Sequence, residues 1–224
     1  MQPVATAWLV FTIPLVVVHA AWLWSSLVGA IDWCVPYWSG CTSISKAARS
    51  SDALFLFRSA MTLNAGLLIL FWLHVAAFLR LNRLAGHSCY WIIGLGVTGA
   101  LFLVVYANFL GYSGEVYRFM RHYGVTVYFG FTVLAQMLLL RQWRQLPGHT
   151  GKCQVKAIHG LCWWMLLLGL ASSGCNLLLP DPLKDMWENI IEWHFALSMN
   201  IYFALVALLW QSLGYRQQPL QEST

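Results

Sequence analysis

The chain has 224 residues, of which 59% are hydrophobic and only 9% are charged, and its formal net charge at pH 7 is +5. Soluble domains carry roughly a quarter charged residues, so this composition excludes an ordinary water-soluble protein and requires lipid as the solvent. The positive charge does not indicate nucleic-acid binding, because Lys and Arg form no basic run; a positive-inside bias and attraction to anionic lipid headgroups account for it.

Six stretches are long and apolar enough to cross a bilayer, which takes roughly 20 apolar residues per helix. They predict an all-α, polytopic membrane protein in which residues 1–224 form a single bundle of six transmembrane helices. The connections are too short to hold a second folded domain. The predicted spans are Ala7–Val28, Leu54–Leu79, Trp91–Leu110, Tyr123–Leu140, Ala157–Leu179 and Ile190–Leu213.

The first span has the position of a secretory signal, but we expect it to be retained as the first helix. It follows Met1-Gln2-Pro3 rather than a basic segment, it is too long, and it shows no small-residue cleavage site. The long connection after it contains Cys34 and Cys41. On an oxidising face these could form a disulfide that closes a small loop; the alternative is two free, buried cysteines. The chain has no CxxC, so zinc-finger and redox motifs have no support.

The charges in the connections predict the orientation. Two connections are basic and contain no acid, whereas the alternate connections mix acids with bases. By the positive-inside tendency, the acid-free connections and both termini are expected to be cytoplasmic. Nothing in the pattern separates the plasma membrane from an endomembrane or lysosome. The basic connections hold Arg80, Arg83, Arg141, Arg144, Lys152 and Lys156.

Polar side chains inside the spans are the candidates for function, because burying them in lipid costs free energy unless they are paired. For each of them the alternative is an interhelical hydrogen bond or ion pair that only holds the bundle together. An acid within an apolar helix, Glu192, must pair with a cation such as Arg58 or His122, or stay protonated. The candidate ligand-binding or lipid-binding residues are Arg58, Asn64, Asn108, His122, Glu192 and His194.

A haem-binding hypothesis comes from the depths of four histidines. His74 and His159 should lie at similar depth near one face, and His122 and His194 near the other. Two facing pairs could ligate haem, noncovalently since no CxxCH is present. This is an alternative; the leading expectation is that the protein has no cofactor and no metal. The chain also lacks a Gly-rich phosphate loop, HExxH and GxSxG, which weighs against familiar ATPase or hydrolase chemistry.

Several short segments stand in a fixed order along nearly the whole chain: Thr42-Ser43-Ile44-Ser45-Lys46, Asn64, Asn108-Phe109, His122-Tyr123-Gly124 and Glu192-Trp193. Together they resemble the damage-regulated autophagy modulator (DRAM) family. This family also includes the yeast suppressor of a four-kinase phosphoinositide defect and the protein that remodels GPI-anchor lipids. The chain departs from the autophagy-modulator branch where Ser50-Ser51-Asp52 replaces a Pro-Pro-Glu-like turn, which leaves the subfamily open.

The resemblance implies a protein of membrane lipid handling or lipid-linked regulation, since family members are linked to autophagy and lysosomes, to phosphoinositides and to GPI lipids. It supplies no catalytic mechanism. The leading hypothesis is therefore a noncatalytic protein whose partners are membrane lipids, with Asn108, His122 and Glu192 clustered to recognise a headgroup near the outer leaflet. The alternatives are a lipid-modifying enzyme with His122 or Glu192 as general base, and a b-type cytochrome.

Overall fold

The computed structural model describes residues 1–84, 86–146 and 153–215, and within them all regular structure is α-helical. Six of the helices in this part of the chain are long and apolar enough to cross a membrane, which confirms the all-α class and the multi-pass membrane assignment. Lys152 of the predicted basic connection lies outside the described residues. The helices are α1 (Pro3–Leu27), α2 (Pro36–Ser39), α3 (Ile44–Arg49), α4 (Ala53–Leu81), α5 (His87–Phe109), α6 (Glu115–Trp143), α7 (Cys153–Leu178) and α8 (Leu183–Ser212).

All six long helices begin before their predicted apolar stretches, and two of them begin two turns earlier. Helix α6 begins at Glu115 rather than near Tyr123, and α8 begins at Leu183 rather than near Ile190. The added turns contain charged residues such as Arg118 and Asp185. These lower the mean hydropathy of the surrounding sequence but do not prevent it from forming a helix. The two helices therefore extend polar turns beyond the apolar segment.

The bundle has two distinct ends. We call the end where α1, α5 and α7 finish the disulfide face, because the connection that follows α1 contains a disulfide between Cys34 and Cys41, with Cα atoms 6.6 Å apart. The end where α1 begins and where α4, α6 and α8 finish is the termini face. The short helices α2 and α3 belong to the disulfide face. They form the segment 28–52, which we call the disulfide loop.

The long helices follow one another around the bundle, and α8 closes the ring against α1. Helices α4 and α8 are the most buried of the six. Across the ring Phe71 of α4 packs edge-on against Phe203 of α8 at 5.0 Å between ring centroids. Tyr202 of α8 donates to the main-chain oxygen of Gln136 in α6 at 2.9 Å, and the Gln136 amide donates to the main chain of α8. Such packing and polar contacts hold helices together in lipid, where burial alone supplies little free energy.

Small residues let neighbouring helices approach closely. Gly96 of α5 lies against the buried Trp72 indole of α4, so that a Cβ there would overlap the ring. Gly124 of α6 lies against the α5 backbone, since a Cβ would come within 3.0 Å of the Tyr106 nitrogen. Close backbone contact at small residues is the usual mode of helix packing in membranes.

Helix α7 is the least embedded of the six. It buries one narrow stripe and packs mainly against α8, with much less contact to α6. A groove is therefore left between α6 and α7.

Candidate functional site

Helix α8 holds the disulfide loop through three side chains on one of its faces. Asn189, Glu192 and Trp193 are three and four residues apart, a spacing that places them on the same side of a helix. The Asn189 amide donates to the Gly40 oxygen at 2.7 Å. The Trp193 indole N–H donates to the Thr42 oxygen at 2.9 Å, in a buried position. We call this trio the loop clamp.

The Glu192 carboxylate completes the clamp by accepting hydrogen bonds from the backbone N–H groups of Ile44 and Ser45. These are the first two residues of α3, whose N–H groups have no partner within the helix. The Ser43 side chain accepts from the next N–H, that of Lys46, at 3.1 Å. The first three backbone donors of α3 are thus satisfied by two side chains, one of which comes from a helix about 150 residues away in sequence.

This geometry corrects the expected pairing of Glu192 with a cation. Within the described part of the chain, the one side-chain ion pair joins Lys184 to Asp181, at 4.0 Å. Arg58 instead donates to the Leu110 oxygen through both Nε and a terminal nitrogen, and its guanidinium lies 4.6 Å from the centroid of the Tyr112 ring. Backbone N–H groups replace the cation as the partners of the Glu192 carboxylate.

A second layer of contacts lies under α3. Ser45 and Tyr106 of α5 share a hydrogen bond of 2.7 Å between their hydroxyl oxygens. Arg49 is close enough to Tyr106 to act on it electrostatically, as is Glu192. On the α1 side the Ser25 hydroxyl donates to the Ala47 oxygen at 2.7 Å. The loop is therefore fixed to α1, α5 and α8 at once.

An aromatic cluster supports the other half of the loop. Tyr37 of α2 packs edge-on against Trp193 and against His194, with ring centroids 5.3 Å apart in both pairs. Its hydroxyl is 3.0 Å from His19 Nε2, while His19 Nδ1 faces the Leu15 oxygen at 2.7 Å. A carbonyl can only accept, so Nδ1 is the donor, and in the neutral imidazole Nε2 then accepts from Tyr37. Burial raises the pKa of Tyr37 to about 12, so the phenol keeps its proton at neutral pH.

Two cavities adjoin the clamp. The first, which we call the loop pocket, has a volume of about 620 Å³ and lies between the disulfide loop and the first turns of α8. Charges of both signs line it: Lys46 and Arg49 from α3, and Asp185 and Glu188 from α8. Cations and carboxylates therefore face each other across one concave surface at this end of the bundle.

The second cavity, the lateral cleft, measures about 230 Å³ and lies among α6, α7 and α8. Phe129, Ile191 and Phe195 supply most of its apolar wall, and Glu192 and Glu188 its polar end. Glu188 lines both cavities. A polar compartment and an apolar one thus lie next to each other, on either side of a single half-buried carboxylate.

The remaining candidate residues lie in separate environments. Asn108 is exposed and donates to Thr62 of α4 at 3.2 Å, and His122 is on an exposed face of α6. Neither has a contact with Glu192 among those that the structure gives, so the expected trio is not assembled around one ligand. Asn64 is buried in α4, and its Oδ1 has no hydrogen-bond partner among the described residues. His194 contributes to the aromatic cluster rather than to a polar site.

The four histidines of the haem hypothesis also have different surroundings. His74 is buried in α4, and Tyr215 donates to its main-chain oxygen at 3.2 Å. His159 faces the groove beside α6 and accepts from Trp163. His122 and His194 lie on an exposed helix face and against α2, respectively. Among the described residues, no group of three or more His, Cys, Asp or Glu side chains is arranged to hold a metal ion.

The sequence pointed to Glu192 but not to most of its neighbours. Ser45 and Lys46 belong to the Thr42-Ser43-Ile44-Ser45-Lys46 segment, and none of the segments contains Asn189 or Tyr106. One signal for Tyr106 is present in the sequence, because a tyrosine deep in an apolar helix needs a hydrogen-bond partner for its hydroxyl.

No family model, curated protein or solved structure with which the chain was compared matches it.

Proposed function

We propose that this integral membrane protein binds the headgroup of a zwitterionic phospholipid in the loop pocket. The observation that carries the proposal is the adjacency of the loop pocket and the lateral cleft at Glu188. A phospholipid has the same division, with a charged headgroup joined to an apolar chain. The headgroup fits the polar compartment, and part of one acyl chain fits the cleft between Phe129 and Phe195.

The charges of the loop pocket favour a headgroup that carries both signs. Lys46 and Arg49 can donate to a phosphate, since charge-assisted hydrogen bonds of this kind are the strong ones. Asp185 and Glu188, on the opposite wall, can accept hydrogen bonds from an ethanolamine ammonium group. They attract the trimethylammonium group of choline, which has no N–H, by charge alone. The two carboxylates would repel a purely anionic headgroup. Choline and ethanolamine phospholipids satisfy both walls.

The loop clamp has the role of holding the pocket in shape before the lipid arrives. The clamp, the hydroxyl contact to Tyr106 and the Ser25 hydrogen bond to Ala47 fix one wall of the pocket to three transmembrane helices. The disulfide closes that wall on itself. A preorganised wall lowers the ordering cost that binding otherwise incurs. In this proposal Glu192 is a positioning residue and does not touch the headgroup.

The proposed orientation places the disulfide face outside the cytoplasm. A disulfide persists in an oxidising compartment. The termini face, with its acid-free basic connections, is then cytoplasmic, as the positive-inside tendency predicts. The lipid is accordingly taken from the outer or lumenal leaflet.

The resemblance to the DRAM family supports a role in lipid handling. Two of the segments that carry it, Thr42-Ser43-Ile44-Ser45-Lys46 and Glu192-Trp193, contact each other in the loop clamp. Their joint occurrence in the chain therefore has a physical reason. By that resemblance, autophagy, phosphoinositide regulation and GPI-lipid remodelling are the settings we propose for this role.

The test is native mass spectrometry of the purified protein in detergent, with equal amounts of phosphatidylcholine, phosphatidylethanolamine and diacylglycerol added. The wild type should retain the two phospholipids over diacylglycerol. Lys46→Gln and Glu188→Gln should each lower phospholipid retention by about tenfold, the size of one lost charge-assisted contact of roughly 1.4 kcal/mol.

Matched controls remove the same charges at the same face but outside the pocket. Lys184→Gln breaks the surface pair with Asp181, and Glu115→Gln changes an exposed acid at the start of α6. Both should leave retention within about twofold of wild type. Equal losses in Lys46→Gln and Lys184→Gln, or retention of diacylglycerol as strong as that of the phospholipids, would refute headgroup recognition.

A further inference from the structure

A second concave surface lies at the opposite end of the bundle, between α6 and α7. This groove has a volume of about 470 Å³, with apolar walls from Met137, Leu140 and Leu166 and two guanidinium groups, Arg141 and Arg144, at its end. We propose that it binds an anionic phospholipid from the leaflet at the termini face. This site is distinct from the loop pocket in position, in leaflet and in the headgroup charge that it selects.

The groove exists because α7 packs mainly against α8 and has little contact with α6. Cys162 is buried in its floor, whereas Trp163 and Leu166 of the same helix are 57% and 41% exposed. Between helices that pack fully such side chains would interdigitate and leave no space. Here they form one wall, and Met137 and Leu140 of α6 form the other.

Among the described residues of the termini face, the two arginines have no acidic partner. Between Glu115 and Asp181 the sequence contains no Asp or Glu, and Glu222 is the only acid after Glu192. Every other acid belongs to the segments 32–52, 115 and 181–192, which lie at the disulfide face. Since Arg141 and Arg144 are three residues apart at the end of α6, their side chains lie on the same face of the helix. The positive potentials of the two guanidinium groups therefore add at that face. Their counter-charge must come from outside the described chain.

Trp163 fixes the mouth of the groove. Its indole Nε1 donates to His159 Nε2 at 3.0 Å, one turn nearer the termini face. An indole held by its N–H, with its ring exposed, is suited to the headgroup layer of a bilayer. The groove therefore has a polar end at headgroup depth and an apolar length that runs toward the bilayer centre.

These features favour a lipid over a free anion. A soluble phosphate would use the arginines but leave the apolar walls uncovered. A phospholipid with a net negative charge covers both, its phosphate accepting from Arg141 and Arg144 and one acyl chain lying against Leu140 and Leu166. Basic pockets between transmembrane helices at the cytoplasmic side bind anionic headgroups in this way.

The test compares phosphatidylglycerol with phosphatidylcholine on the full chain, again by native mass spectrometry. The double variant Arg141→Gln/Arg144→Gln should lose at least about tenfold of its bound phosphatidylglycerol, as expected for two lost phosphate contacts. Its phosphatidylcholine retention, which reports on the loop pocket, should not change. The matched control Arg80→Gln/Arg83→Gln removes two charges from the same face outside the groove and should retain the anionic lipid within about twofold.

Three results would overturn the inference. The first is unchanged phosphatidylglycerol retention in Arg141→Gln/Arg144→Gln. The second is an equal loss in the Arg80/Arg83 control, which would show a general attraction of the whole face. The third is displacement of the lipid by glycerol 3-phosphate at equal concentration, which would show a site for a soluble anion. If the double variant does not fold, Leu166→Trp fills the groove without altering charge and should likewise lower phosphatidylglycerol retention by severalfold.

Discussion

Replacement of Glu192 by Gln should loosen the disulfide loop while leaving the transmembrane bundle assembled. The Glu192 carboxylate accepts from two backbone N–H groups, those of Ile44 and Ser45. The Gln side chain has one acceptor oxygen and one NH₂ group, and the NH₂ cannot accept. One neutral oxygen thus replaces two charged ones, so the hydrogen bonds of the two N–H groups are weakened or one of them is lost.

The size of the effect follows from the cost of an unpaired buried group. Leaving one N–H unsatisfied costs about 1–3 kcal/mol. Because Glu192 holds the loop and not the helix-to-helix packing, the cost should appear as easier local opening. An opening free energy lower by that amount raises the exchange rate of the protected amides by roughly 5- to 150-fold.

Hydrogen–deuterium exchange of peptides that cover residues 40–46 measures this directly. Peptides from the middle of α4, which contain the buried Phe71, should exchange at the wild-type rate in the same experiment. Glu115→Gln is the control for the loss of an acid at this face, and it should leave the 40–46 peptides protected. Exchange of 40–46 that is unchanged by Glu192→Gln would mean that the carboxylate does not hold α3, and the account of the clamp would be wrong.

Two further substitutions test the packing around the site. Trp193→Phe keeps a ring in place but leaves the buried Thr42 oxygen without its indole donor. It should lower the free energy of unfolding by about 1–3 kcal/mol, measured by thermal unfolding in detergent. The control Trp24→Phe changes a half-exposed ring and should have little effect. Gly96→Ala places a methyl group into the Trp72 indole and should cost about 1–3 kcal/mol, whereas Gly94→Ala in the same helix has nothing within 4 Å of the new Cβ and should be neutral or slightly stabilising. Equal melting temperatures for the members of either pair would contradict the packing described here.

The six spans could be predicted from the sequence because each is a local property of about twenty consecutive residues. The start of α6 could not, since Arg118 and Arg121 dilute the apolar signal although they fit a helix. The hydrogen-bond partners of Glu192 could not be predicted from the sequence either. They belong to α3, a helix of six residues that has no periodicity to detect, and the contact spans about 150 residues of sequence. An acid in an apolar helix predicts a cationic partner or a bound proton, whereas the fold supplies the backbone N–H groups of Ile44 and Ser45.

The distribution of charge gives the two proposed sites opposite requirements. At the disulfide face, cations such as Lys46 lie close to acids such as Glu188, so the loop pocket can be neutral overall and has no need of a charged lipid. At the termini face, Arg141 and Arg144 have no acid near them in sequence, and burial of their groove by a neutral headgroup would leave two cations unpaired. The bundle is therefore expected to select lipids of different charge at its two ends. A difference in headgroup preference between variants of Lys46 and variants of Arg141 follows from this arrangement, whatever the biological role of the binding.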